Sequence, residues 1–274
     1  MIHIVCALKC EALPLLDCFK LDHCSKAALF NTYYNEVSQL SLTISGVGKV
    51  AAAAATLHTM TLFDAKKQDV WLNIGVAGHG ILPVGQAVLA NRVEDAGSGA
   101  VWYPQIVFAT ELSSGGLRTL DQPVTDYNTV MVDMEGAGFY ASACRLATAE
   151  LCHCLKIISD NRESPADRLQ ESFVRGLIAE HTLTIEKLIR QLRSLSAELD
   201  TTLTTPRDYE GCVRRWRFTR YQKGILEQLL RRWQVLRPGN PALQGRLIQS
   251  KSAEEVLARL QQTLDENPII FKQA

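Results

Sequence analysis

Thr129 to Leu151 reads TVMVDMEGAGFYASACRLATAEL. Val130, Met131, Val132 and Met134 form a short apolar run, long enough for one buried strand. The run ends in two acids, Asp133 and Glu135, and passes through Gly136-Ala137-Gly138 into a helix rich in small residues. A strand that feeds a helix through a tight turn is the unit of an open α/β sheet. In such sheets ligands sit beyond the carboxyl ends of the strands. A carboxylate at that edge, followed by glycines that allow close approach, is a candidate site. The competing reading is a solvated strand-end acid beside a close helix contact.

Other stretches have the same strand-then-turn form. Ala7-Leu8-Lys9-Cys10-Glu11-Ala12 follows an apolar run from Ile2, which predicts a strand over 2–8 and a helix over 11–19. Glu11 then lies near a helix N-terminus, where negative charge is favoured. Tyr33–Val37 and Leu40–Ser45 predict a strand pair, and Gly46-Val47-Gly48-Lys49 leads into an alanine-rich helix over 50–62. Asp69–Ile74 predicts a strand, with Gly75-Val76-Ala77-Gly78-His79-Gly80 as a loop at its end. Gln86–Ala90 predicts another strand. The run Cys154–Ile158 predicts a strand ending at Ser159-Asp160. Glu171 to Leu195 predicts one long amphipathic helix, with Phe173, Leu177, Ile178, Leu183, Ile185, Leu188, Ile189 and Leu192 on its apolar face.

These motifs, in this order, resemble the nucleoside phosphorylase/nucleosidase superfamily, and most nearly its 5′-methylthioadenosine/S-adenosylhomocysteine nucleosidases. The resemblance runs from residue 1 to about 198, weakens between Asp95 and Asn128, and is absent beyond 198. It implies a three-layer α/β/α sandwich with a mixed twisted central sheet over 1–198, and leaves 199–274 as an α-helical C-terminal extension. It implies hydrolysis of the N-glycosidic bond of a purine nucleoside, in methionine salvage, by a homodimer without a cofactor. Residue by residue, Asp160 matches the acid that protonates the leaving purine, with Ser159 orienting it. Glu135 matches the group that grips the ribose hydroxyls, and Met134 the residue that packs beneath the sugar. Glu11 matches the group that activates water, while Val76, Ala77 and Gly78 match the substrate-lining strand end. For Asp160 to act it must be protonated, which burial or hydrogen bonding would favour. Phosphorylases of the superfamily place arginines in the first glycine loop and beside the residue-70s loop. Neither 6–13 nor 73–80 contains an arginine, which favours water as nucleophile. Lys9 is the one cation in those stretches, and nearby Arg92 and Arg162 keep phosphorolysis as the alternative. The family's base-stacking aromatic has no clear match in 91–128, where Trp102 and Tyr103 are the candidates. His79 is left without a role.

Bulk composition agrees with a large domain and an appendage. The 274 residues are 47 % hydrophobic, enough for a sizeable core. The eight cysteines form no CxxC pair, and Cys152-His153-Cys154 has no second ligand pair at zinc-like spacing. They read as reduced thiols of a cytoplasmic protein, with no metal. Lys9 and Glu11 interrupt the apolar N-terminus, so neither a signal peptide nor a membrane span is expected.

The net charge is zero, yet 200–274 holds 13 basic and 8 acidic residues, net +5, leaving −5 for the rest. After a linker over Thr201–Pro206, residues 207–237 carry nine basic residues interleaved with Trp216, Phe218, Tyr221 and Trp233. Leu226, Leu229, Leu230 and Trp233 recur at helical spacing, so a helix pair packed against the catalytic domain is the favoured reading. A nucleic acid or acidic protein held through 207–237 is the alternative. Ser252-Ala253-Glu254-Glu255 predicts a capping box opening a last helix to about Glu266.

Overall fold

The computed structural model describes residues 1–26, 29–123, 129–164, 170–203, 205–237 and 239–266. The chain divides into two compact units, Met1–Asp200 and Thr201–Ala274.

The first unit is a mixed sheet with helices on both faces. Its strands are β1 (Ile2–Cys6), β2 (Asp22–His23), β3 (Asn31–Asn35), β4 (Leu40–Ile44), β5 (Val70–Gly78), β6 (Ala87–Asp95), β7 (Val101–Trp102), β8 (Ser113–Thr119), β9 (Met131–Asp133) and β10 (Cys152–Asp160). Its helices are α1 (Lys9–Phe19), α2 (Lys49–Phe63), α3 (Gly136–Leu146), α4 (Glu171–Glu180) and α5 (Thr182–Leu203). β4, β1, β5 and β10 run parallel, with β5 at the centre. β10 also pairs antiparallel with β6, and β6 continues through β8 and β9 back to β5, so five strands close on themselves.

Alternation along each strand makes the three layers. Ile2, Ile4, Leu72, Ile74, Leu155 and Ile157 point to one face and meet Ala12 and Leu15 of α1 with Leu177, Ile178, Ile185 and Leu188 of α4 and α5. Val5, Trp71, Ala77, Cys152, Cys154 and Ile158 point to the other and meet Ala52, Ala55, Phe139 and Ala143 of α2 and α3. The same alternation sends His153 away from its flanking thiols. Its Nε2 lies 2.9 Å from the Glu150 carbonyl, so Cys152-His153-Cys154 cannot converge on one metal.

Gly138 sets how closely α2 and α3 approach. A Cβ at that position would lie 1.9 Å from the Lys49 carbonyl oxygen, so only glycine permits the contact. Gly136 serves the turn before it, where a Cβ would meet Leu117 and Asp133 at 2.6 and 2.9 Å. The glycines beside Glu135 are packing residues. By contrast, Gly46 and Gly48 have open space around them, and their φ angles of 79° and 107° demand glycine.

Three expectations are corrected. The loop expected over Gly75–Gly80 is strand as far as Gly78, because β5 is central and its end pairs with both β10 and β9. The helix expected over Glu171–Leu195 breaks at His181, whose φ of −101° and ψ of 6° leave the helix while its Nε2 donates to the Gly85 carbonyl at 2.6 Å. The break resets the helical phase, so Phe173 and Leu183 are exposed and the other six apolar positions are buried. The linker expected over Thr201–Pro206 begins later, since α5 runs through Leu203.

The second unit holds α6 (Tyr209–Arg215), α7 (Arg220–Leu236) and α8 (Ala253–Asp265). It has its own core of Cys212, Trp216, Leu226, Leu229, Leu230, Trp233, Val256, Leu260 and Leu264. The apolar stripe of 207–237 is therefore buried within this unit, against α8. Thr219 opens α7 by accepting from the Gln222 amide at 3.2 Å, while the Gln222 side chain accepts from the Thr219 amide. Ser252 opens α8 by accepting from the Glu255 amide at 3.2 Å, but the Glu255 carboxylate accepts from the Lys251 amide at 2.7 Å, so the reciprocal half of the expected capping box does not form. Among the described residues no helix is long and apolar enough to cross a membrane.

Candidate active site

The carboxyl ends of β1, β5, β9 and β10 meet at one cavity of about 210 Å³. Glu11, Val76, Ala77, Gly78, Met134, Glu135, Ser159 and Asp160 all line it, so every sequence-derived site residue is brought to one place. Leu8, Val47, Leu120, Pro123 and Val132 supply apolar wall, and Gln122 and Asp133 complete the polar part. Trp102, Tyr103, Lys9, Arg92 and Arg162 are not among these residues. Trp102 packs on Tyr140, its ring centroid 6.4 Å away, and Arg92 pairs with Glu94 at 2.7 Å. Part of the 91–128 segment that was expected to hold a base-stacking aromatic, residues 124–128, lies outside the described residues.

Glu11 sits in the first turn of α1, fully buried, with its carboxylate turned back toward β1 and β5. Oε2 accepts from the amides of Ala7 and Leu8 at 3.0 and 2.9 Å, and Oε1 accepts from the Val76 amide at 3.0 Å. The side chain lies across β5, where a Cβ on Gly75 would come within 2.7 Å of Oε1. This explains the glycine at position 75. Burial pushes the Glu11 carboxyl above its ordinary value. Lys156 and the Leu8 and Val76 amides oppose that rise, and Glu135 adds to it.

Glu135 ends the β9 turn, just before α3. Its Oε1 accepts from the Gly48 amide at 2.7 Å, so the positive-φ glycine turn before α2 aims a backbone donor into the site. Burial raises this carboxyl too. Lys156 lowers it, Asp133 raises it, and the Gly48 and Met134 amides lower it.

Behind both glutamates lies Lys156, in the middle of β10 and almost wholly buried, with Nζ 2.9 Å from Asp133 Oδ2. Burial alone would lower the ammonium. Asp133, Glu135, Cys154 and Glu11 outweigh it and hold Lys156 charged. Asp133 also accepts from Thr119 Oγ1 at 2.7 Å and from the Gly136 amide at 2.7 Å, tying the cation to the start of α3. Sequence reasoning noted Asp133 as a strand-end acid and passed over Lys156. The available clue was a lone lysine inside the apolar run Cys154–Ile158, which cannot be buried without a counter-charge.

Ser159 and Asp160 end β10. The Ser159 hydroxyl donates to Asp160 Oδ1 and lies 3.4 Å from the Ala77 carbonyl. The Asp160 carbonyl accepts from the His79 amide at 3.0 Å. His79 itself is buried, and its Nδ1 accepts from the amides of Ile81 and Leu82 at 3.1 and 2.9 Å. Burial lowers its pKa against a hydrogen bond to the Thr129 carbonyl. This imidazole closes a turn and stays neutral, and it is not one of the cavity-lining residues.

Among the described residues the cavity lining has four carboxylates and no lysine, arginine or histidine. Such a site can grip hydroxyl groups, orient a neutral nucleophile and donate a proton, each from a different strand end. No cluster of metal-binding side chains occurs among the described residues.

No family model and no curated protein matches the chain. Solved structures do. A Helicobacter pylori 5′-methylthioadenosine/S-adenosylhomocysteine nucleosidase is 18% identical over 69% of this chain and 97% of its own, with a TM-score of 0.56. The Arabidopsis thaliana 5′-methylthioadenosine nucleosidase is 18% identical over 71% of this chain and 95% of its own, TM-score 0.54. Futalosine hydrolase of Helicobacter pylori is 18% identical over 70% and 97%, TM-score 0.52. The likeness is one of fold, and the fold is that of the nucleosidases in the nucleoside phosphorylase/nucleosidase superfamily.

Proposed function

We propose that the Met1–Asp200 unit hydrolyses the N-glycosidic bond of a purine ribonucleoside, with a 5′-thio- or 5′-deoxyadenosine as the leading substrate. The observation that carries this reading is the convergence of Glu11, Glu135 and Asp160, from three separate elements, on one apolar-walled cavity. Glycosidic cleavage develops positive charge on the sugar and negative charge on the departing base. Asp160 donates a proton to the purine, with the Ser159 hydroxyl fixing its carboxyl. Glu135, held by the Gly48 amide, grips the ribose hydroxyls above Met134. Glu11, held by three amides, orients and deprotonates water. The carboxylates around the sugar also favour its oxocarbenium character.

The absence of any cation from the described lining favours water over phosphate, because a phosphate dianion beside the Glu11, Glu135 and Asp160 carboxylates would need a positive partner. Lys156 is engaged with Asp133. The test is incubation with 5′-methylthioadenosine, S-adenosylhomocysteine, 5′-deoxyadenosine and inosine, with and without phosphate. Free base released without phosphate is the expected result. Strict phosphate dependence would move the reading to a phosphorylase, and no turnover at all would leave a nucleoside-binding protein. We further infer a cytoplasmic homodimer, which light scattering and fractionation would check.

A further inference from the structure

The second unit carries a charge pattern that the proposed nucleosidase reaction does not use. Between 211 and 226 there are five basic residues, Arg214, Arg215, Arg217, Arg220 and Lys223, and no acidic one. All five are exposed at the corner where α6 ends and α7 begins. Arg215 is held, stacked 5.3 Å over the Trp216 ring with Nη2 donating to the Ile248 carbonyl at 3.0 Å. The other four have no acidic partner among the described residues. Of the acids nearest in sequence, Asp208 and Glu210 stand at the start of α6, and Glu227 pairs with Arg231; farther along, Glu255 pairs with Arg259 and Asp265 with Arg232.

This arrangement works against folding. Arg220 and Lys223 occupy the first turn of α7, where the helix dipole disfavours cations, and no acid stands there to offset them. Four like charges on one corner repel one another as well. A local arrangement that costs stability without a compensating contact marks a functional surface.

The aromatics decide which partner fits. Trp216 and Trp233, which in the sequence look available for stacking, are buried in the unit's own core. Tyr221 is the exception: it is 79 % exposed and flanked by Arg220 and Lys223. A bare ring set among unpaired cations suits an unstacked base on a phosphodiester chain. An acidic peptide would use the cations and leave the ring without a partner.

We propose that this corner, Arg214, Arg217, Arg220, Tyr221 and Lys223, binds single-stranded nucleic acid, its cations on phosphates and its ring on a base. The proposal is independent of the nucleosidase reading. It is tested on the full chain by fluorescence anisotropy with labelled mixed-sequence RNA and DNA 20-mers, polyglutamate and anionic lipid vesicles. For four neutralised phosphates on a single strand, log K against log salt falls with a slope of about −3, measured between about 50 and 200 mM salt. Replacing all four cations by alanine should raise the oligonucleotide Kd at least tenfold and flatten the slope. Tyr221→Ala retains every charge and should weaken binding several-fold at unchanged slope, which keeps the test valid if the quadruple variant fails to fold. Binding of either oligonucleotide with this pattern supports the proposal. It is overturned if neither 20-mer binds saturably at the lower salt, if only polyglutamate or vesicles bind, or if both variants bind as the parent does. Adenosine-substrate turnover should be unchanged in either variant.

Discussion

The Lys156 ammonium and the Asp133 carboxylate lie 2.9 Å apart, both nearly without solvent contact, behind the two glutamates of the cavity. The pair is a charge reservoir for the site. Lys156 lowers the pKa of Glu11 and of Glu135, each of which burial has raised. Lys156→Met should therefore raise both carboxyls further. Glu11 acts as a carboxylate, so activity is present above its folded pKa and lost as pH falls through it. The acid limb of the rate profile should lie above the ordinary glutamate value of 4.5 and move to higher pH in the variant. Removing one partner of a buried pair should also cost about 3–5 kcal/mol, read by denaturant unfolding. An unmoved acid limb in a folded variant would separate Lys156 from the chemistry.

Asp160→Asn keeps shape and removes the proton. Turnover should fall by about 10²–10⁴, with substrate affinity by calorimetry within a few-fold of the parent. Ser159→Ala, which deletes the hydroxyl that holds Asp160 Oδ1, should cost about tenfold, the worth of one hydrogen bond. Near-normal turnover in Asp160→Asn would remove Asp160 from the acid role.

His79→Ala should lower stability without touching the reaction's pH dependence. The imidazole accepts from two turn amides, and leaving such donors without a partner costs about 1–3 kcal/mol. A lost or shifted pH limb in this variant would make His79 an acid–base group after all.

Gly138→Ala and Gly224→Ala should move stability in opposite directions. The first places a methyl 1.9 Å from the Lys49 carbonyl and must part α2 from α3, at about 3 kcal/mol or more. It should reduce activity as well, because Gly48 and Glu135 sit at the starts of those two helices. The second falls in α7 with no atom within 4 Å, so alanine should add about 0.5–1 kcal/mol through helix propensity. Thermal melts of the two variants check both signs.

The residue order determined a good deal unaided. Apolar runs alternating with helical segments, and acids placed just after strands, were enough to place Glu11 and Asp160 at one sheet edge, because the ends of the parallel strands β1, β5 and β10 share that edge. Glu135, by contrast, follows β9, which runs antiparallel to β5, and joins them only through the tertiary structure. The Ser252 cap of α8 is local too, needing only the Glu255 amide three residues on. What remained for the tertiary structure was whatever depends on partners distant in sequence. β5 is strand to Gly78 because β9 and β10 pair with its end, and its Gly75 makes room for Glu11 from another element. Gly138 owes its place to a carbonyl on α2, 89 residues earlier in the chain. Trp216 and Trp233 turn inward because α8 supplies a surface to cover them. Lys156 is held charged by three carboxylates from other segments, a balance of burial against Coulomb attraction that exists only once those segments meet.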